Sequence, residues 1–249
     1  SNERKLLLYL WIVPVLFFLF ISLRRSVGLH WVLGFVPIFM VWLGVTVSTS
    51  GAKLRRYWAW TAGLSVPHFL LVSILVFSPL SLWQGSKLYE RVVFLRESQA
   101  VTQQLERHSE AGHRIMATAY SPAAILSYHH KAYVPVFGTG RHHARQDDLS
   151  FDFRELHGQS LKIFDRRPID LDDYRPFFDS VEVGTFNVQG VDFYVLVGNG
   201  FNFPAYRDRF LVTIAQNFYQ LPSWLPVWGQ PFCERYALME CTPQPNMRK

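Results

Sequence analysis

Acidic side chains are missing from a third of this chain. Between Arg4 and Glu90 there is no Asp or Glu, while Arg4, Lys5, Arg24, Arg25, Lys53, Arg55, Arg56 and Lys87 supply eight basic residues. A soluble helical bundle needs a charged face on each helix to meet water, so this absence argues against one and rules out a single soluble domain. The rest of the chain has no basic surplus: residues 90–249 hold seventeen Lys and Arg against eighteen Asp and Glu, so the net charge of +6 belongs to the first third. No basic face is left over for nucleic acid, and nucleic acid is excluded as a partner. The usual nucleotide and hydrolase signatures are absent as well. Val197-Gly198-Asn199-Gly200-Phe201 has too few glycines for a dinucleotide fingerprint, and no nucleophile elbow, Walker loop or zinc-protease helix occurs. Cysteine is scarce: Cys233 and Cys241 are the only two. Their spacing can close a local disulfide in an oxidising compartment, and two free buried thiols are the alternative.

What fills the first third is apolar. Leu6 to Leu23 is an uncharged run of about 18 residues, the length a helix needs to cross roughly 30 Å of hydrocarbon. Val27 to Val47 is a second run and about Trp58 to Leu82 a third, with Trp11, Trp31, Trp58, Trp60 and Trp83 at or near the ends, where amphipathic rings favour headgroups. Three transmembrane helices are expected, at about 6–23, 27–47 and 58–82, in a membrane segment over 1–83. His68, beside Pro67 in the third run, reads as a packed, locally satisfied histidine. Arg4, Lys5, Lys53, Arg55 and Arg56 outnumber Arg24, Arg25 and Lys87 on the opposite face, which puts the first set in the cytoplasm and the remainder of the chain outside. Two further spans follow the first and no small-residue cleavage site is present, so a cleaved signal peptide is not expected. The first residue, Ser1 rather than Met, suggests a chain that begins within a longer protein.

Residues 84–249 read as a mixed α/β domain, a sheet flanked by helices. Expected elements are a helix from Gln84 to His108, strands at Arg114–Tyr120, Tyr133–Phe137 and Ser160–Phe164, and a helix opening at Ser121-Pro122. A hairpin of Val181–Val188 and Val191–Gly198 turning at Gln189-Gly190 and a helix from Ala205 to Tyr219 complete the set.

Two loops carry the candidate chemistry. Arg24 and Arg25, with His30 and Trp31 close by, offer planar donor forks suited to a phosphate at a membrane surface; interfacial anchoring is the alternative. Gly138 to Asp148 holds Arg141, His142, His143, Arg145, Asp147 and Asp148. No His-x-x-x-His pair is present and no metal site is assigned. A substrate-facing loop that hydrogen-bonds sugar hydroxyls and a solvated surface loop both stand.

The run Ser22-Leu23-Arg24-Arg25 with Gly28-Leu29-His30-Trp31 and a Pro37-bearing span resembles the late spans of bacterial integral-membrane glycosyltransferases of the GT-C type. These are relatives of dolichyl-phosphate-mannose protein mannosyltransferase and aminoarabinose lipid A transferase, family 39-like. Tyr120-Ser121-Pro122-Ala123-Ala124, His143-Ala144-Arg145-Gln146-Asp147-Asp148, Asp152-Phe153-Arg154 and Leu221-Pro222-Ser223-Trp224-Leu225-Pro226 look like the extracytoplasmic C-terminal domain of that group. The resemblance implies a transferase of the bacterial inner membrane that moves a sugar from a polyprenyl-phosphate carrier to an extracytoplasmic lipid, glycan or protein. It places Arg24, Arg25 and His30 near the carrier phosphate, and the catalytic acidic loop, with any divalent metal, upstream of Ser1. No cofactor is evident in this chain. The family's usual Lys is Arg here, which keeps the charge; its usual Tyr falls near His30-Trp31, which loses the hydroxyl. The contrasting expectation is a non-catalytic, membrane-anchored binding or scaffold domain.

Overall fold

The computed structural model describes residues 2–24, 27–48, 54–108, 112–140, 146–220 and 229–238. The chain divides into two units, Ser1–Ser78 and Pro79–Lys249.

The first unit is helical. Helix α1 (Asn2–Ser22) is followed by α2 (Leu29–Leu33), α3 (Val36–Ser48) and α4 (Leu54–Phe77). Two stretches, Asn2–Ser22 and Trp31–Ser48, are long and apolar enough to cross a membrane, and no residue in either is buried. The α1 and α2–α3 stretches lie antiparallel and meet through aromatic rings: Trp11 packs edge-on to Phe39 with centroids 4.8 Å apart, and Phe18 meets Trp31 at 5.8 Å. Outside that seam, Phe17, Phe20, Leu70 and Phe77 are exposed. An apolar surface of this extent is compatible with membrane anchoring. The third expected span is a 24-residue helix, α4, with Pro67 inside it. The His68 side chain is exposed on α4.

The second unit is built on a four-stranded sheet. Its strands are β1 (Arg114–Ala117), β2 (Leu161–Asp165), β3 (Ser180–Val188) and β4 (Val191–Asn199), in the order β1-β2-β4-β3. β1 and β2 are parallel, and β4 is antiparallel to both β2 and β3. Side-chain alternation divides the core in two. Met116, Leu161, Ile163 and Leu196 point to one face, where Phe153, Phe177, Tyr206 and Phe232 fill the interior. Ile115, Ala117, Phe164, Phe193 and Val195 point to the other, against α5 (Tyr89–Arg96), α6 (Ser98–Arg107) and α7 (Tyr120–His130). Helices on both faces explain why β2 is buried almost throughout.

Several expectations are revised. The helix expected from Gln84 starts at Tyr89 and breaks at Glu97, whose φ of −103° and ψ of 19° are not helical, so α5 and α6 are separate. Tyr133–Phe137 is not a full strand: Val136 makes one parallel bridge to Ala117. The reason lies in its donors. Pro135 has no N–H, the Val134 N–H goes to Ser127 Oγ at 2.9 Å, and the Val136 N–H goes to Asp147 Oδ2 at 2.7 Å. Only the Phe137 N–H, donating to the Ala117 carbonyl at 2.9 Å, remains for the ladder. Gly138, at φ +80°, then ends the segment where a side chain would be strained. The expected helix from Ala205 to Tyr219 is present and starts earlier, as α9 (Phe203–Tyr206) capped by the Asn202 side chain. It continues through a π turn (Arg207–Leu211), α10 (Val212–Ile214) and a second π turn (Ala215–Tyr219). A final short helix, α11, spans Pro231–Tyr236.

Candidate functional site

Arg24 sits two residues past the end of α1, its N–H donating to the Ile21 carbonyl at 2.9 Å, and its side chain is exposed. A guanidinium there complements the partial negative charge of the helix C-terminus and leaves its fork open to an anion. Arg25 lies outside the described residues, and His30 is described only as part of the α2 backbone.

The second expected loop divides. Arg141, His142, His143 and Arg145 lie outside the described residues, whereas Asp147 and Asp148 are on a short helix, α8 (Gln146–Ser150). Both carboxylates are buried, at 4% and 0% exposure, which corrects the substrate-facing reading for these two. Asp147 accepts hydrogen bonds from the Tyr133 hydroxyl and the Val136 N–H, and Asp148 accepts one from the Tyr219 hydroxyl at 3.4 Å. They tie the 133–137 segment and the end of the long helix to α8. Asp152 is also structural: it caps the 3-10 turn Phe153–Leu156, and its hydrogen bonds with Arg154 hold its carboxyl below the usual value. Cys233 is disulfide-bonded, which settles its side of the alternative left open by the sequence. Cys241, the other cysteine of the chain, lies outside the described residues.

The structure brings together a cluster that sequence reasoning missed. Thr118 follows β1 and Asp165 closes β2, at the carboxyl ends of the parallel pair, and the Thr118 hydroxyl donates to Asp165 Oδ2 at 2.5 Å. The Arg167 N–H donates to Asp165 Oδ1 at 3.0 Å. Tyr174 stacks on Phe137 with centroids 5.6 Å apart. Burial and the nearby Asp165 and Asp173 charges push its phenol up to about 12. After β1 the chain leaves toward α7 and Val136 on one side, and after β2 it leaves toward β3 on the other. The carboxyl ends of a strand pair whose connections diverge in this way are the usual ligand position in α/β sheets. A carboxylate and two hydroxyls there suit a polyhydroxylated ligand. The 166–179 connection also borders a shallow groove of about 560 Å³ that includes Ile169, Leu171 and Val183. Among the described residues, no group of three or more His, Cys, Asp or Glu side chains is placed to hold a metal ion.

Two titrating groups of this unit have opposite signatures. Lys162, 3% exposed on β2, donates from Nζ to the Glu106 carbonyl at 3.0 Å, near the end of α6. Burial lowers its pKa from 10.5 and the Glu106 charge only partly opposes this. The folded state therefore holds its proton less tightly than the unfolded chain, so stability rises with pH from the lowered value up to 10.5. Tyr174 does the reverse: its contribution is present below pH 10.0 and is lost as pH rises toward about 12. Denaturation midpoints followed across alkaline pH should lose the rise in Lys162→Met and the fall in Tyr174→Phe; profiles parallel to the unsubstituted chain would contradict both assignments.

No family model, curated protein or solved structure matches the chain.

Proposed function

We propose that this chain is the C-terminal portion of a membrane glycosyltransferase that moves a sugar from a polyprenyl-phosphate carrier to an extracytoplasmic acceptor. The observation that carries the reading is Arg24: an exposed guanidinium placed two residues beyond a 21-residue, largely apolar helix, with Arg25 next in sequence. That is the depth at which a carrier phosphate lies, and fixed cations in a water-poor site stabilise the charge that develops on a phosphate leaving group. In this reading α4 crosses as a third span and the second unit lies outside the cytoplasm. The disulfide at Cys233 supports the second point, since disulfides persist in oxidising compartments. The Thr118, Asp165 and Tyr174 cluster is then a place for acceptor or sugar hydroxyls.

The test is Arg24→Ala combined with Arg25→Ala in the full-length protein, assayed for sugar transfer from a polyprenyl-phosphate donor. Transfer should fall by at least about a hundredfold, the scale of losing a charge-stabilising donor, with the thermal unfolding midpoint unchanged. Unchanged turnover would sink the assignment.

A further inference from the structure

The second unit begins with a segment that is mostly open to its surroundings. Leu80 packs against the core, but Leu82 is 71% exposed, Leu88 is 47% exposed, and Lys87 between them is exposed too. The next helix keeps the pattern. α5 buries Val92, Val93 and Phe94 and presents Leu88, Arg91 and Leu95 outward at spacings of three and four, with Leu95 62% exposed. The acid within this stretch, Glu90, is paired with Arg166 at 3.3 Å. The outward face is therefore leucine interleaved with exposed lysine and arginine.

We propose that Leu82, Lys87, Leu88, Arg91 and Leu95 form a docking face for the headgroup layer of an anionic phospholipid bilayer. The leucines enter the boundary between headgroups and acyl chains, and Lys87 and Arg91 meet lipid phosphates. Two observations select lipid as the occupant. The interleaved basic residues complement an anionic surface, and the face starts only a few residues after Phe77, the end of the apolar helix α4. Trp83, half-buried in the 3-10 turn Leu80–Trp83, is of the residue type that favours this depth. The inference rests on the membrane reading of the first unit and goes beyond it, because it assigns the second unit a lipid contact of its own.

The test uses the whole chain reconstituted in vesicles of phosphatidylcholine mixed with phosphatidylglycerol. Leu82→Cys and Leu95→Cys each carry an environment-sensitive NBD label attached without reductant, and the unsubstituted chain is the blank. Leu70→Cys in α4 reports the bilayer interior and Arg154→Cys reports water. Labels at 82 and 95 should be blue-shifted and quenched by spin-labelled lipid, as at 70. Replacing Lys87 and Arg91 with Gln should lower the docked-to-undocked ratio about 25-fold, roughly fivefold for each charge removed. Phosphatidylcholine alone should weaken docking likewise. Water-like emission at 82 and 95 with quenching at 70 overturns the docking face and leaves the membrane reading standing. Water-like emission at 70 as well overturns both. A shift at 82 and 95 that follows protein concentration and ignores the lipid quencher marks a protein partner and overturns the proposal, and indifference to lipid charge overturns the role of Lys87 and Arg91.

Discussion

Phe137→Ala is expected to reduce the stability of the second unit by about 3–5 kcal/mol, the range for deleting a buried aromatic ring. Phe137 is 4% exposed and meets the rings of Tyr174, Phe177, Phe178, Phe201, Tyr206 and Phe210 at centroid distances of 5.0 to 6.2 Å. These partners come from the 166–179 connection, the end of β4 and the π-containing helix, so no single element can close the hole. Collapse is further opposed from behind, because the Gly138 N–H is fixed to the Tyr206 hydroxyl at 3.0 Å. Hydrogen exchange of the β1, β2 and β4 amides reads the effect directly: protection should fall by at least about a hundredfold. Phe137→Leu, which keeps most of the volume, should lose much less. Protection within twofold of the unsubstituted chain in Phe137→Ala would show that the ring cluster is not the centre of this core.

Asp147→Ala should come next, at about 3–5 kcal/mol. The mutation removes the hydrogen bonds that the carboxylate accepts from the Val136 N–H and the Tyr133 hydroxyl, and each hydrogen bond to a charged group contributes about 1.5–3 kcal/mol. Asp147→Asn retains one carbonyl acceptor and should recover part of the loss. The outcome also decides between two roles. A residue that faces substrate can be truncated with the fold intact and activity gone, whereas Asp147 should lose fold and activity together. A denaturation midpoint unchanged in Asp147→Ala would restore the substrate-facing role that the buried geometry argues against.

Local chemistry made much of this architecture legible in the sequence. The β3–β4 hairpin is marked by a period of two on either side of Gln189-Gly190, and both ends match the observed strands to within about a residue. The apolar runs of the first unit are marked by length and by the absence of acids, neither of which depends on distant partners. The errors arose where a distant side chain decides the outcome. Tyr133–Phe137 has strand composition, yet Ser127 and Asp147 take the donors a second strand would need. Asp147 and Asp148 look like a solvated acidic pair because adjacent charges usually are; their burial depends on Tyr133 and Val136 from one segment and on Tyr219 from another. The Thr118–Asp165 pair joins residues 47 positions apart. Only the acid closing the strand segment Leu161-Lys162-Ile163-Phe164-Asp165 hinted at it. Arg24 was read from its neighbours alone, and its place beyond α1 follows from the same local rule that ended the apolar run.

The strand order also sets a timetable for synthesis. β2 lies between β1 and β4, and β4 is the last of these four strands to leave the ribosome. At translation rates of about 5–20 residues per second, β1 waits roughly several seconds before the strands that complete its sheet have emerged. During that interval Ile115, Met116 and Ala117, all buried in the finished unit, have no assembled sheet to enter. The β3–β4 hairpin closes locally and fast, and the parallel β1–β2 pairing, which must close a long loop first, is the slow event. Nascent chains stalled before Asn199 should therefore be the aggregation-prone species, and the late hairpin is what ends their exposure.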